Sequence, residues 1–193
     1  MKKLTSLGAA ALLAAAVAGC SSSSTTTAGN SAATAKATPT ATSGIETFTG
    51  QVTGAAALAN NLTIPLKWTG PVITTSTFST GGSAPKKGQH HTFQTAAGNF
   101  TVAVSGTVTN TQKLLSASSC QFEFATAVPY TVDGAASTGK FAGSTGSGVV
   151  TVTFQAYLPK LASGKCNESN NAQPLTKGAL AAAKGTGPLT VKS

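Results

Sequence analysis

Val150–Leu158 reads VTVTFQAYL. Val150, Val152, Phe154, Ala156 and Leu158 fall on one side of an extended chain, with Thr151, Thr153 and Gln155 opposite. Successive side chains of a strand point to opposite faces, so this period of two marks a strand half-buried in a sheet. The same pattern recurs on both sides of it. Leu62, Ile64, Leu66 and Trp68 alternate with Thr63, Pro65 and Lys67. Phe100, Val102 and Val104 share a face, and so do Cys120, Phe122, Phe124 and Val128. Residues 48–53, 72–79 and 189–192 are further strand candidates. Pro65 has no N–H to give a ladder, so its strand is expected at a sheet edge or at a bulge.

Turn signals separate these runs: Gly81-Gly82, Ala97-Gly98-Asn99, Asp133-Gly134 and Thr138-Gly139-Lys140. Many short alternating strands divided by such turns predict an all-β domain, an antiparallel β-barrel or β-sandwich. One segment reads differently. Pro174–Gly185, PLTKGALAAAKG, is alanine-rich, and alanine is the best helix former. At most one short helix is expected there, near the C-terminus. Residues 45–193 form a stretch of about 150 residues, the size of a single β-domain with a core of its own.

Thr138–Val152, TGKFAGSTGSGVVTV, resembles the glycine-rich hairpin of small secreted barrels of the allene oxide cyclase and dirigent type. The resemblance covers that stretch alone and implies a barrel rather than a sandwich. It carries over no activity and no site residue.

The N-terminus has a separate logic. Met1-Lys2-Lys3 is positive, and Leu7 to Gly19 is an uncharged run of Leu, Ala, Val and Gly. A spanning helix needs roughly 20 apolar residues, and this run is shorter. A basic start, a short apolar centre and small residues at its end predict an export signal over residues 1–19. Val17-Ala18-Gly19-Cys20 resembles the lipobox of bacterial lipoproteins. That resemblance implies a diacylglyceryl group on the Cys20 thiol, cleavage before Cys20, and acylation of the new amine. A single acyl chain holds a protein only marginally, and two or more hold it stably.

After Cys20 the chain reads SSSSTTTAGNSAATAKATPTATSG, with one charge, Lys36, and no aromatic or large aliphatic residue. It lacks the apolar surface to offset its ordering entropy, so residues 20–44 are expected as a lipidated cysteine plus a flexible tether. A coil of about 24 residues spans roughly 25–30 Å. Its hydroxyls suit either O-linked sugars or a bare spacer.

The chain holds three cysteines. With Cys20 read as the lipidated residue, Cys120 and Cys166 remain. An exported chain meets oxidising conditions, so a disulfide between them is expected, with a free thiol or a metal ligand as alternatives. Closing a loop of about 46 residues stabilises by roughly 4 kcal/mol in the chain-entropy view.

The formal net charge is +9, from 13 lysines and no arginine against four acids, Glu46, Glu123, Asp133 and Glu168. Without the arginine fork, sequence-specific binding of nucleic acid is not expected. The densest positive spot is Lys86-Lys87 with His90-His91, expected as a solvated glycine-rich loop whose charges favour solubility, with weak attraction to anionic polymers or lipid headgroups as the alternative. His90 and His91 are adjacent rather than at a chelating spacing, so no metal site is expected. A Ser/His/Asp trio can be drawn from His90 or His91 with Asp133, but no G-x-S-x-G elbow supports it. No phosphate-binding or dinucleotide fingerprint is present, so neither a cofactor nor a catalytic residue is assigned. The expectation is an envelope-anchored lipoprotein displaying a binding or interaction module. Its partners would be the membrane through Cys20 and either an apolar small ligand or an envelope polymer. A structural or surface-antigen role is the alternative, and an envelope enzyme comes last. An empty apolar lumen would favour ligand binding, and a filled one would favour the structural role.

Overall fold

The structure, a computed structural model, describes residues 40–59, 61–80, 85–169 and 172–192. The expected signal segment, Cys20 and the tether up to Pro39 lie outside the described residues. The strands are β1 (Ala41–Thr53), β2 (Thr63–Thr69), β3 (Thr74–Ser79), β4 (His90–Thr95), β5 (Gly98–Val104), β6 (Thr109–Ser116), β7 (Gln121–Val132), β8 (Thr145–Tyr157) and β9 (Leu175–Lys192). Two 3-10 turns, Gly54–Leu58 and Gly139–Phe141, are the helical elements described. Strand β1 therefore begins at Ala41, inside the stretch expected as tether.

The strands form one antiparallel sheet in the order β5-β4-β3-β2-β1-β9-β8-β7-β6. The sheet closes because β7 also pairs with β5, through Val102↔Val132, Ala103↔Thr131 and Val104↔Tyr130. Eight strands make the wall of a barrel. Strand β6 lies outside that closure, laid along the first half of β7 from Thr109↔Ala127 to Ser116↔Gln121. All strands and core residues of this barrel lie between Ala41 and Lys192, so it carries its own core without the residues that precede it.

The alanine-rich segment, where at most one short helix is expected, forms none: it lies in β9. Its partners lie far away in sequence. It pairs with β1 continuously from Ala41↔Lys192 to Thr53↔Leu180, and with β8 on its other side. A continuous ladder to β1 on one edge and a ladder to β8, with one register shift, on the other outweigh a local helix preference of under about 1 kcal/mol per residue. The small side chains have a steric reason. Ala179, Ala181, Ala183 and Gly185 are buried along the inner face of β9. A Cβ on Gly185 would stand 1.9 Å from the Phe48 ring. The bare wall of β9 thus leaves room for large rings from other strands.

Those rings fill the lumen. Trp68 stands 4.5 Å from Phe48, 5.7 Å from Phe93, 5.1 Å from Phe100 and 5.9 Å from Phe141, centroid to centroid. Its indole N–H donates to Ser76 Oγ at 2.7 Å, so the one polar atom of the ring is satisfied inside. Ile64 and Leu66 are buried beside it. Of the sandwich and barrel expected from alternation, the structure is the barrel, and its lumen is packed.

Pro65 does not lie on an edge strand, because β2 sits between β1 and β3. It pairs opposite Thr77 of β3. The register with β1 ends at Thr49↔Lys67, two residues short of the proline. There Gly50 presses against the Pro65 carbonyl so closely that a Cβ would be 1.9 Å away. The missing N–H is absorbed by this irregularity, as a bulge absorbs it elsewhere.

The steric account makes a prediction. Gly185→Val drives a branched side chain into the Phe48 ring, and overpacking of this kind costs about 1–3 kcal/mol. Gly185→Val should lower the unfolding free energy by that amount, read as a drop in the urea midpoint equal to the loss divided by an unchanged slope. Gly88→Ala, which meets nothing within 4 Å at φ +80°, should cost less, in the range of a left-handed residue at about 1 kcal/mol.

Candidate functional site

The strands leave two ends. The upper end holds the start of β1, the end of β9 and the connections 70–73 and 133–144. The lower end holds residues 54–59 and 61–62 of the connection after β1 and residues 158–169 and 172–174 of the connection after β8.

The upper end contains a buried carboxylate. Alternation puts Phe48 inside, so Glu46, two residues earlier, points the same way and is 2 % exposed. Its neighbour Ile45 points outward and is 61 % exposed. The carboxylate accepts one hydrogen bond, from the Val72 N–H to Oε2 at 3.0 Å, and Oε1 has no partner. Burial pushes its pKa up to about 7, against the opposing pull of the Val72 N–H. Glu46 stands opposite Gly187 of β9, Gly187 lies against Gly148 of β8, and Gly148 stands opposite Tyr130 of β7. The two glycines leave the wall bare between the acid and the phenol. A Cβ on Gly148 would come within 2.6 Å of the Tyr130 hydroxyl, so the ring lies over that gap. Burial first, and the Glu46 charge second, push the Tyr130 pKa up to about 12.

The upper end is capped by the 133–144 connection. Phe141 is fully buried and plugs the lumen against Phe100 at 5.0 Å. The Lys140 N–H donates to the Ala97 carbonyl, and the Thr101 N–H donates to Ser137 Oγ. Ser144 is buried, and its hydroxyl has no partner. Above this cap is an open cleft of about 490 Å³ with Pro71, Val72 and Val191 as its floor and Lys140 and Lys192 on its rim. Val72, whose N–H bonds the Glu46 carboxylate, is among the residues that line the cleft. The lower end has an open cleft of about 370 Å³ of mixed lining, with Leu58, Leu62, Phe154 and Pro174 beside Thr80 and Gln173.

The disulfide joins Cys120 to Cys166 across 46 positions, as expected. Cys120 lies in the turn just before β7, in the left-handed region at φ 59°, rather than within the strand. The bond pins the polar 158–174 connection to the foot of β7, where the Leu158 N–H also donates to the Cys120 carbonyl. His90 and His91 open β4 and are not loop residues. His90 Nδ1 lies 3.6 Å from Asp133 Oδ2, while the Nε2 of His91 is buried without a partner. The structure thus brings a histidine to the one aspartate, but among the described residues no serine hydroxyl bonds to either imidazole. No group of three metal-ligating side chains occurs among the described residues. Glu123 faces outward between Lys113 Nζ at 2.9 Å and Gln155 Nε2 at 2.7 Å. Those two hydrogen bonds, Lys113 foremost, hold its carboxyl below the usual range.

Glu46 is the residue that sequence reasoning passed over. Its signal was parity: an acid two positions before Phe48, on the same face of the same strand.

The Glu46 environment sets a pH dependence. Its folded pKa of about 7 lies above the ordinary 4.5. The folded chain therefore holds a proton that the unfolded chain has released. That contribution is complete below pH 4.5, falls as pH rises, and is gone above about pH 7. A tenfold difference in proton affinity corresponds to about 1.4 kcal/mol, so the total loss is about 3 kcal/mol. Glu46→Gln keeps an acceptor for the Val72 N–H and removes the charge. It should raise stability by about that amount at pH 8 and leave it nearly unchanged at pH 4, as read from urea unfolding at both pH values.

Comparisons with protein-family models, with curated proteins and with solved structures give no match to this chain.

Proposed function

We propose that this chain is a lipoprotein, held at a bacterial membrane through Cys20, whose β-barrel is an interaction module working through its outer surface and rims. One observation bears on the second half of that reading: Trp68, Phe48, Phe93, Phe100 and Phe141 occupy the lumen, which argues against a ligand held inside, favours the structural or surface-antigen role over a carrier, and leaves the exterior as the surface for any interaction. The first half rests on residues 1–20, where a basic start, a short apolar run and Val17-Ala18-Gly19-Cys20 match what export and lipidation require. The length of chain between Cys20 and Ala41 fits presentation at a distance from an anchor. Among the described residues no helix is long and apolar enough to cross a membrane.

A second reading has its own support. The lower cleft, with Leu58, Leu62 and Phe154 on its walls, suits a small apolar ligand. Native mass spectrometry of protein from its natural source separates the two. A stoichiometric small mass that Leu62→Trp abolishes favours the ligand reading, and a bare chain favours the surface module.

The anchor has a direct test. In a bacterial host, the wild-type chain should be found in the membrane fraction, with an N-terminal peptide that starts at Cys20 and carries acyl mass. Cys20→Ala should keep residues 1–19 and lose the acyl mass. Unchanged processing and retention in Cys20→Ala would overturn the anchor.

A further inference from the structure

The charges of the barrel are segregated by face. Of the four acids, Glu46 points inward, Glu123 is bridged to Lys113, and Asp133 lies beside His90 of β4. Glu168 lies in the lower 158–174 connection. The outward face of β2, β1 and β9 holds none. Parity assigns that face: Ile64, Leu66 and Trp68 are inside, so Lys67 is outside, and Ala183 and Gly185 are inside, so Lys184 is outside. Lys67 and Lys184 both stand in register with Thr49, one on each side of β1. Thr47 and Thr186 bridge the same face by their hydroxyls at 3.3 Å.

Toward the upper end the face turns apolar. Ile45 is 61 % exposed, and its cross-strand neighbour is Pro188. The 70–73 connection folds over the backbone of Ile45, where a Cβ on Gly70 would stand 2.3 Å from its carbonyl. The same connection presents Ile73, 83 % exposed and the barest large apolar side chain described. Lys192 ends β9 beside this patch and shares the rim with Lys140. The chain also enters the barrel here, at the start of β1. Exposed isoleucines at a rim, flanked by lysines and free of acids, suit the boundary between headgroups and acyl chains. There apolar tips bury and lysines meet anionic lipid.

We infer that the outward face of β2, β1 and β9, with Ile45 and Ile73 at its upper rim, is a docking surface for an anionic phospholipid bilayer. It deepens the lipoprotein reading, because a chain anchored through Cys20 would have this face within reach of the bilayer. The anchor holds the chain at the membrane, and the face sets which side of the barrel turns toward it.

The test uses a chain starting at Ser21, which lacks both the lipidated cysteine and the apolar run. Binding is read by co-sedimentation with vesicles of phosphatidylglycerol and phosphatidylcholine in equal parts, and with phosphatidylcholine alone. Binding should appear with the anionic vesicles and be weak with the neutral ones. A lysine near an anionic surface contributes about fivefold in partitioning, so Lys67→Glu with Lys184→Glu should lower it more than tenfold. Ile45→Ser with Ile73→Ser should lower it about tenfold or more. Lys86→Glu with Lys87→Glu, placed before β4 at the other end, should lower it less than either pair. All these side chains are exposed, and circular dichroism of each variant checks the fold. Equal loss from every lysine pair would overturn the proposal, as would absence of binding to anionic vesicles. Loss from the lysine pair but not from the isoleucine pair would also overturn it, because the face would then take any anionic polymer. Acylation of the full chain is measured separately, so failure of the docking face and failure of the anchor are distinguishable.

Discussion

The packing of Trp68 against Phe48 inside the barrel is the contact on which the rest of the structure depends. A barrel of eight strands encloses a space just wide enough for side chains, and an unfilled space of that kind forfeits dispersion on every wall. Trp68 and its ring neighbours fill it, but only because one wall is nearly bare. Strand β9 supplies alanine and glycine where the other strands supply aromatics, and Gly185 gives the Phe48 ring the place a Cβ would take. Big and small residues are thus exchanged between strands that lie far apart in the chain. The fold is correspondingly non-local: β1 and β9, near the two ends of the described chain, pair with each other along the whole length of β1.

That non-locality decides what could be seen in the sequence. Strands with one buried face, such as Val150–Leu158 and Leu62–Trp68, declare themselves because the alternation is written in their own residues. Strand β9 does not. Its inner residues are small because of Phe48 and Trp68, more than a hundred positions away, and read locally they look helical. Strand β6, TNTQKLLS, is exposed along almost all of its length and has no apolar face to alternate. It exists because β7 offers it an edge and Lys113 a partner in Glu123. His90 and His91 follow glycines and lysines, which suggested a loop, yet they begin β4 against Ala103 and Val102. The cysteine pair was legible by elimination, because it needed a count rather than a contact. The candidate site was legible in part: the parity of Glu46 was available, but the bare glycine wall between it and Tyr130 requires the registers of β8 and β9.

Glu46 shows what that wall costs. An acid at an inward position, with one acceptor oxygen unpaired, is a destabilising element wherever it carries its charge. Its Oε2 holds the Val72 N–H, and Val72 is the floor of the upper cleft. The carboxylate therefore ties the 70–73 connection to β1 from beneath. The same connection projects Ile73 into solvent above. An inward carboxylate and an outward isoleucine are two consequences of one short turn, drawn down by its backbone at Val72 and left exposed one residue later.

The placement of charge follows from the same geometry. With only four acids against ten lysines in the described residues, the barrel cannot neutralise itself pair by pair. Among the described residues its one lysine–carboxylate pair joins β6 to β7, Asp133 lies beside His90, and the outward face of β2, β1 and β9 carries lysines, on β2 and β9, and no acid. Like charges on a rigid wall repel weakly at physiological salt, where the screening length is about 8 Å, so this arrangement costs the fold little. It gives the molecule a polarity across its width. A packed lumen offers no interior space, so the pattern open to a partner is the one fixed on its outside. Here that pattern is a threonine face edged by lysines, with two isoleucines at the rim where the chain enters.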